Sequence, residues 1–479
     1  MKVKLKVTII FPSLADKFIG TGWRLSESPT PPLGPLYIAT PLIKAGYKVS
    51  FYDLGVDHLD HESYIGILGE TDMLLITCLT NGIQNIEQII SDYRLVRPDG
   101  YIICGGPHCT ETGMHINGSN ATVYGDGEEI ICDLVECMAT GFPPDYLKGI
   151  SYLRNGEIKR IEGKNFVNDL DSIGPPALEL AEGKQYNYIY GFRLEGIVPV
   201  ITTRGCPSRC RFCTFHSTPY RERSIEDVIN EISILHSKGA RILTILDDNF
   251  MLKKKRVERF ARHLIEKKIK LKLIIQGRAD VTDPSIYRLL RKAGLTVLMF
   301  GTESANQDVL DYYRKGTTLE KIERILQITN RLGIITFSGL MVGAPIETQS
   351  HFANNHKFLS RVPLDLLSVN ILRFVYPSPL WHEAFEQGKI RQDELIVTSN
   401  RKLCNFSYEE LRDVQERTLS LFFRSRRRMV RLAYKAALNF GITDTLKLIN
   451  SARKNIMLRS PEEFHGISIS REVVSINQN

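Results

Sequence analysis

Apolar positions along this chain fall into two rhythms. Short continuous runs read as strands covered on both faces, and longer stretches with a three-to-four-residue repeat read as helices. Over residues 1–140 the two alternate. Val3–Phe11 is a β-rich run, Leu36–Ala45 has helical spacing and stops at Gly46, and Val49–Tyr52 is a short strand. Met73–Cys78 is a continuous apolar run, Ile86–Tyr93 reads as helix, and Tyr101–Cys104 is a strand that runs into Gly105-Gly106-Pro107. Thr122–Tyr124 is strand and Glu128–Met138 helix. This alternation predicts a doubly wound, Rossmann-like α/β domain, with ligands at the C-terminal ends of the strands.

Residues 141–195 change character. Ile150–Leu153 and Ile158–Ile161 flank Asn155-Gly156, the signal of a tight hairpin. Ile173-Gly174-Pro175-Pro176 then breaks regular structure, so the stretch reads as a connector. From residue 196 the alternation restarts. Candidate strands are Ile197–Thr202, Ile242–Leu246, Leu271–Gln276, Thr296–Phe300, Thr336–Val342 and Leu366–Leu372, with helices such as Ile225–Lys238 and Val257–Lys267 between them. Six strand–helix units predict a partial (β/α)6 barrel. Residues 401–479 read as a helical, basic extension. The expected division is 1–145, 146–195, 196–400 and 401–479.

Composition narrows the function classes. The 479 residues suffice for two or three domains. With 43% apolar and 24% charged residues the chain is an ordinary globular protein, which excludes a disordered tail, a collagen-like repeat and a disulfide mini-scaffold. A net charge of +8, from 62 basic and 54 acidic residues, falls short of a nucleic-acid footprint. No apolar run reaches about 18 residues, so no membrane anchor is expected. The apolar part of Met1–Phe11 is too short for a signal-peptide core, which points to the cytoplasm. Nine cysteines, an odd count in a long chain, do not suggest a disulfide framework.

The spacing of three of them carries the chemistry. In Arg204-Gly205-Cys206-Pro207-Ser208-Arg209-Cys210-Arg211-Phe212-Cys213 the pattern is Cys-x3-Cys-x2-Cys, directly after a barrel-type strand. Three thiolates on one loop suit three irons of a [4Fe–4S] cluster and leave the fourth iron open. Arg204, Arg209 and Arg211 would lower the thiol pKa values and offset the cluster's charge. A zinc loop is the competing reading. A structural zinc site wants four protein ligands, and only His216 lies close enough to be a fourth.

The triad, with aromatic Phe212 before its last cysteine, resembles the radical S-adenosylmethionine (SAM) superfamily. The resemblance implies that SAM chelates the open iron and is cleaved by one electron to a 5′-deoxyadenosyl radical. Arg221–Val228 is similar to the segment that follows the cluster loop in the subgroup with an N-terminal cobalamin domain. Asp247-Asp248-Asn249-Phe250, Gly301-Thr302-Glu303-Ser304 and Gly343-Ala344-Pro345-Ile346-Glu347-Thr348 lie at strand ends in matching order. SAM contacts are thereby implied for Phe212, Asp248, Arg278, Glu303, Ser304, Gly343 and Pro345. Taken alone, Gly301–Ser304 also reads as a plain turn and Asp248 as a helix N-cap.

Three N-terminal pieces resemble the subgroup's cobalamin domain: Pro32-Leu33-Gly34-Pro35-Leu36, Gly105-Gly106-Pro107-His108 and Gly125-Asp126-Gly127-Glu128-Glu129. Glycines at strand ends let backbone approach a flat, bulky ligand. The resemblance implies contacts from Pro32, Gly34, Thr80, Asn81, Gly105, Gly106, Pro107, His108, Gly125, Asp126, Gly127 and Glu128. A dinucleotide-binding reading competes, but Ile130 stands where its third glycine belongs. Cobalamin domains with a histidine ligand carry Asp-x-His-x-x-Gly. Here Asp57-His58 and Asp60-His61 occur without that motif, so base-off cobalamin without a protein histidine ligand is expected. Leu79–Gln84 would then face the lower side of the cobalt. His108 reads as lying along the nucleotide tail, as a cobalt ligand or as a hydrogen-bonded loop histidine.

Cys78, Cys104, Cys109, Cys132, Cys137 and Cys404 read as small core residues. The run Arg424–Arg431 reads either as a contact for an acidic partner or as a helix face that also pairs with acids of the core. Tyr313 and Tyr376 read as packing residues near the site loops. The family resemblance implies a C-methyltransferase that moves a methyl group from SAM through cobalamin to a substrate carbon radical. A peptide or protein substrate is expected, with the glutamine α-carbon of methyl-coenzyme M reductase as one candidate. The electron donor would be a flavodoxin or ferredoxin, and the host anaerobic. A non-methylating cyclase or rearrangement enzyme, and a radical SAM tRNA methylthiotransferase, are the alternatives.

Overall fold

The structure is a computed structural model. It describes residues 5–12, 30–184, 186, 188–189, 192–193, 195–214, 218–452 and 473–475. The described chain divides into two compact units, with the division between Ile189 and Tyr190.

In the first unit a seven-stranded sheet has β1 (Lys6–Phe11), β2 (Lys48–Asp53), β3 (Met73–Thr77), β4 (Tyr101–Gly105), β5 (Ala121–Val123), β6 (Ile150–Arg154) and β7 (Glu157–Ile161). Their order is β2-β1-β3-β4-β5-β6-β7. The first five are mutually parallel, and β6 and β7 are antiparallel. Val7, Ile9, Ile10, Met73–Ile76, Ile102 and Ile103 are all buried, which is why these segments read as unbroken apolar runs. The helices Leu33–Lys44, Ile83–Val96 and Ile131–Thr140 follow β1, β3 and β5.

Two readings change here. Helix His61–Gly69 lies where the periodicity suggests none. Asp60 caps it, accepting from Ser63 N at 2.7 Å, while Asp57 pairs with Lys184 at 2.6 Å. Asp57 and Asp60 thus have structural partners. The hairpin Ile150–Ile161 is also no mere connector. It turns on Asn155 and Gly156, both at positive φ, and β6 extends the sheet by pairing with β5. The apolar face of β6 decides this, because Ile150 and Tyr152 are buried in the same core as Ala177, Ala181 and Tyr186.

In the second unit six strands run parallel in sequential order: Ile197–Val200, Ile242–Ile245, Lys272–Gly277, Leu295–Glu303, Ile335–Val342 and Leu366–Ile371. The sheet does not close, as the six-unit partial barrel requires. Helices Ile225–Ser237, Lys254–Glu266, Pro284–Lys292, Leu319–Arg331 and Gln349–Arg361 lie between the strands, and their apolar faces share its core. Three further helices follow, Tyr408–Phe423, Arg426–Phe440 and Ile442–Ala452. The extension is not wholly helical, since Val473–Ser475 pairs with strand Glu394–Thr398.

Candidate active site

The site is built at the C-terminal ends of the six parallel strands, where a barrel places its chemistry. The first strand leads into the cysteine loop, and the second strand pins its start. Buried Asp247 accepts from Thr202 N at 2.6 Å and Thr203 N at 3.1 Å, and from both threonine hydroxyls, at 2.5 and 2.8 Å. Burial raises its pKa, and these four donors act against that rise. Asp248 takes a backbone hydrogen bond from Gly205, so it steadies the loop rather than capping a helix. Gly205 sits at φ +79°, and a Cβ there would collide with the backbone of Thr218 and Pro219. Strands Thr203–Arg204 and Arg221–Glu222 pair antiparallel across the base of the loop.

Cys210 is buried and Cys206 and Cys213 are half-buried, with Cys213 N donating to Cys210 O at 3.0 Å. His216 lies outside the described residues. The arginines divide differently from expectation. Arg211 turns away from the thiols: its guanidinium lies 4.3 Å from the Tyr312 ring centroid and pairs with Glu383. Arg278, at the end of the third strand, places its Nη1 3.3 Å from Cys210 Sγ. It is held there by Asp280 (2.6 Å) and by the Lys315 carbonyl. Arg278 therefore meets the cluster loop itself.

This donor set fits a [4Fe–4S] cluster. Three thiols share one loop, and a fixed guanidinium offsets thiolate charge on the most buried of them. Among the described residues no three His, Cys, Asp or Glu side chains converge as a single-ion site, whereas a cluster takes one thiolate per iron.

Beside the loop, Phe212 meets Tyr313 edge-to-face at 5.3 Å. Tyr313 is fully buried, and its carbonyl accepts from Arg211 N at 2.9 Å. Lys315 Nζ donates to Glu303 Oε1 at 2.6 Å and lies 5.8 Å from the Phe212 ring centroid. Glu303 ends the fourth strand at φ +62°, after an irregularity in register that follows Gly301, so this segment is a strand end and not a free turn. Ser304 departs from its expected role. It is fully buried and its hydroxyl accepts from Asn306 N and Nδ2, each at 3.2 Å, which leaves Glu303 as the side chain at this strand end. At the fifth strand Gly343 is packed under Ser399 and Leu411, and Pro345 is half-buried in the turn that follows. Buried Glu347 closes this turn by accepting from Gly343 N (2.6 Å) and Ala344 N (2.8 Å). Burial pushes its pKa up to about 7. Sequence reasoning passed over Asp247, Lys315 and Glu347 as site residues. Asp247 and Glu347 stand inside the quoted motifs, whereas Lys315 has no local signal.

In the first unit the strand order reverses between β1 and β3, the switch point at which open α/β sheets bind ligands. Thr80, Asn81 and Gly82 form a helical turn just beyond β3. Gly34, in the first turn of the helix after β1, has open space where a Cβ would project, and Pro32 precedes that helix. At Gly105 a Cβ would meet only ordinary contacts, whereas at Gly106 it would press on the Cys78 backbone at 3.0 Å. Pro107 opens a short helix, and His108 in it is buried, its Nδ1 3.1 Å from Thr80 Oγ1. His108 thus matches the loop-histidine reading and steadies the Thr80 turn. Gly125 and Asp126 are committed to their own fold. Asp126 N donates to Asn165 O at 2.6 Å, Asp126 Oδ2 accepts from Val167 N at 3.0 Å, and Gly125 at φ +97° lies against the Asn165 backbone. Gly127 packs on Ile38, and Glu128 is buried. Among the described residues nothing lies within 4 Å of a Cβ at Gly34, which leaves the switch-point backbone able to meet a flat ligand such as cobalamin.

Cys78, Cys104, Cys109, Cys137 and Cys404 are buried, as core residues would be. Among the described residues no helix is long and apolar enough to cross a membrane.

Comparison with known proteins agrees with this geometry. Residues 200–359 match the radical SAM superfamily, and residues 24–135 match the B12 binding domain. An uncharacterised methyltransferase of Pyrococcus horikoshii is 23% identical over 488 residues, covering 99% of this chain and 98% of the relative. An anaerobic magnesium-protoporphyrin IX monomethyl ester cyclase of Rubrivivax gelatinosus is 30% identical over 346 residues, covering 68% of this chain but 61% of the cyclase. The solved cobalamin-dependent SAM radical enzyme OxsB, with aqua-cobalamin and SAM bound, shares the fold with a TM-score of 0.69 at 17% identity, covering 97% of this chain and 70% of OxsB. With a cysteine loop at the strand ends of one unit and a strand-order switch point in the other, the chain belongs to the radical SAM enzymes that carry a B12-binding domain.

Proposed function

We propose that this chain is a cobalamin-dependent radical SAM C-methyltransferase. The observation that carries this is the cysteine loop at the barrel's strand ends with Arg278 on Cys210, in a chain whose other unit reverses its strand order between β1 and β3. The methyltransferase that aligns with nearly the whole chain favours methyl transfer over cyclisation, since the cyclase aligns over a smaller part of its own length.

Cys206, Cys210 and Cys213 would hold the cluster. Phe212, Glu303, Gly343 and Pro345 surround the place for SAM, with Lys315 fixing the Glu303 carboxylate and Tyr313 bracing Phe212. Pro32, Gly34, Thr80, Asn81 and Gly105 would line the cobalamin crevice, base-off and without a histidine ligand. When bound, the cluster supplies one electron to SAM and cobalamin carries a methyl group. The chain's own work is to hold the three thiols on one loop, with Arg278 set against Cys210, and to keep the rim carboxylate oriented.

A peptide carbon remains the proposed substrate class, with the methyl-coenzyme M reductase glutamine as its narrowest form. A flavodoxin or ferredoxin is the proposed donor. The test is anaerobic. Protein purified with cobalamin supplied is incubated with methyl-labelled SAM, a low-potential donor and candidate peptides. Transfer of label, with a gain of one methylene unit in mass, is expected. SAM cleavage with a product that carries no label would assign the chain to the cyclase type instead.

A further inference from the structure

Helix Arg426–Phe440 is inside out. Its buried residues are Arg428, Lys435 and Ala436. Arg428 donates to the carbonyls of Leu364 (3.0 Å), Phe422 (2.8 Å) and Leu359 (2.5 Å). Lys435 Nζ reaches Ile334 O at 2.9 Å and buried Asp365 at 2.7 Å. The opposite face carries Val430, Tyr434 and Leu438, which are 71%, 66% and 54% exposed. Steps of four keep these on one side of the helix. The next helix adds Ile442 and Leu446, at 72% and 55% exposed. Exposed apolar residues gathered along one helix face mark a binding face.

The charges beside it are equally unexplained by the fold. Arg426 and Arg427 stand exposed in the helix's first turn, and Arg424 is exposed just before it. The helix dipole disfavours cations at that end. No acidic residue occurs anywhere in the helix to offset them, and none of the three arginines forms an ion pair among the described residues.

We propose that this face docks peripherally on an anionic lipid surface. Val430, Tyr434, Leu438, Ile442 and Leu446 would enter the boundary between headgroups and acyl chains, and Arg424, Arg426 and Arg427 would meet lipid phosphates. The charge pattern favours this occupant over a second copy of the chain. A second copy would present the same acid-free helix to these arginines, whereas an anionic lipid surface supplies the negative charge they lack.

The test uses the full chain, reconstituted anaerobically, in flotation with vesicles of phosphatidylglycerol and phosphatidylcholine in equal parts, and with phosphatidylcholine alone. The protein is expected to float with the anionic vesicles only, and to be released by high salt. The double variant Arg426→Glu/Arg427→Glu and the single variant Tyr434→Glu should each lower the bound fraction about tenfold or more. Unchanged iron content reports intact folding of these surface variants. Failure of the parent protein to float, or equal binding by the variants, overturns the proposal. So does a doubled mass in solution that Tyr434→Glu abolishes, which would give the face to a second copy.

Discussion

Glu347 shows how one side chain can tie the site to pH. Its carboxyl is buried, one oxygen accepts two backbone N–H groups, and Oε1 has no partner among the described residues. Burial raises its pKa from 4.5 to about 7. The folded state thus holds this proton more tightly than the unfolded chain. The stability this provides is complete below pH 4.5 and is lost as the pH rises through about 7. The loss should amount to about 3 kcal/mol for a shift of this size. Glu347→Gln keeps an acceptor for Gly343 N and Ala344 N but does not titrate. Denaturant midpoints at pH 5 and pH 8 should therefore differ less in the variant than in the parent protein, and an identical pH dependence would refute this account. The carboxylate itself is legible in the sequence, five residues into a turn after a strand. Its burial is not, because Gly343 must first fold the chain back over it.

At the scale of elements, the C-terminal helices are fastened by Asp365. This fully buried carboxylate accepts from Thr336 N at 3.0 Å, Arg431 Nε at 2.9 Å and Lys435 Nζ at 2.7 Å. Burial lowers the Lys435 pKa and the Asp365 charge opposes that fall. Asp365→Asn would leave two cations facing a neutral group in a mostly dry place, a loss of about 3–5 kcal/mol. Thermal unfolding should shift down accordingly, and helix Arg426–Phe440 should become sensitive to protease in the folded protein. A variant with unchanged melting and unchanged cleavage would show that the helices are held mainly by apolar packing. The run Arg424–Arg431 was legible only as a basic helix, with a partner contact and core pairing both open. The structure splits it, because a charged side chain can turn inward only where a distant acid or carbonyl receives it.

For the whole molecule, two units with separate apolar cores imply separable cofactor loading. Cys210→Ala removes the most buried thiol and the partner of Arg278, so iron should fall to background. The seven-stranded sheet is untouched, so cobalamin should remain near one per chain. Iron assay and the cobalamin absorption spectrum on the same anaerobic preparation read both. Loss of cobalamin together with iron would contradict independent loading.

The sequence by itself determined the order of strands and helices, the six-unit barrel and the cysteine spacing. Each of these rests on neighbours within a few residues: apolar periodicity, a glycine stop, three thiols on one loop. Tertiary structure decided what depends on partners far along the chain. It chose Arg278 rather than Arg211 to meet Cys210, turned Ser304 inward, made the Asn155-Gly156 hairpin the edge of a sheet, and set Arg428 and Lys435 of a C-terminal helix inside with Val430, Tyr434 and Leu438 outside. In each case the deciding partner is far away in sequence, and its approach is set by packing that local pattern does not encode.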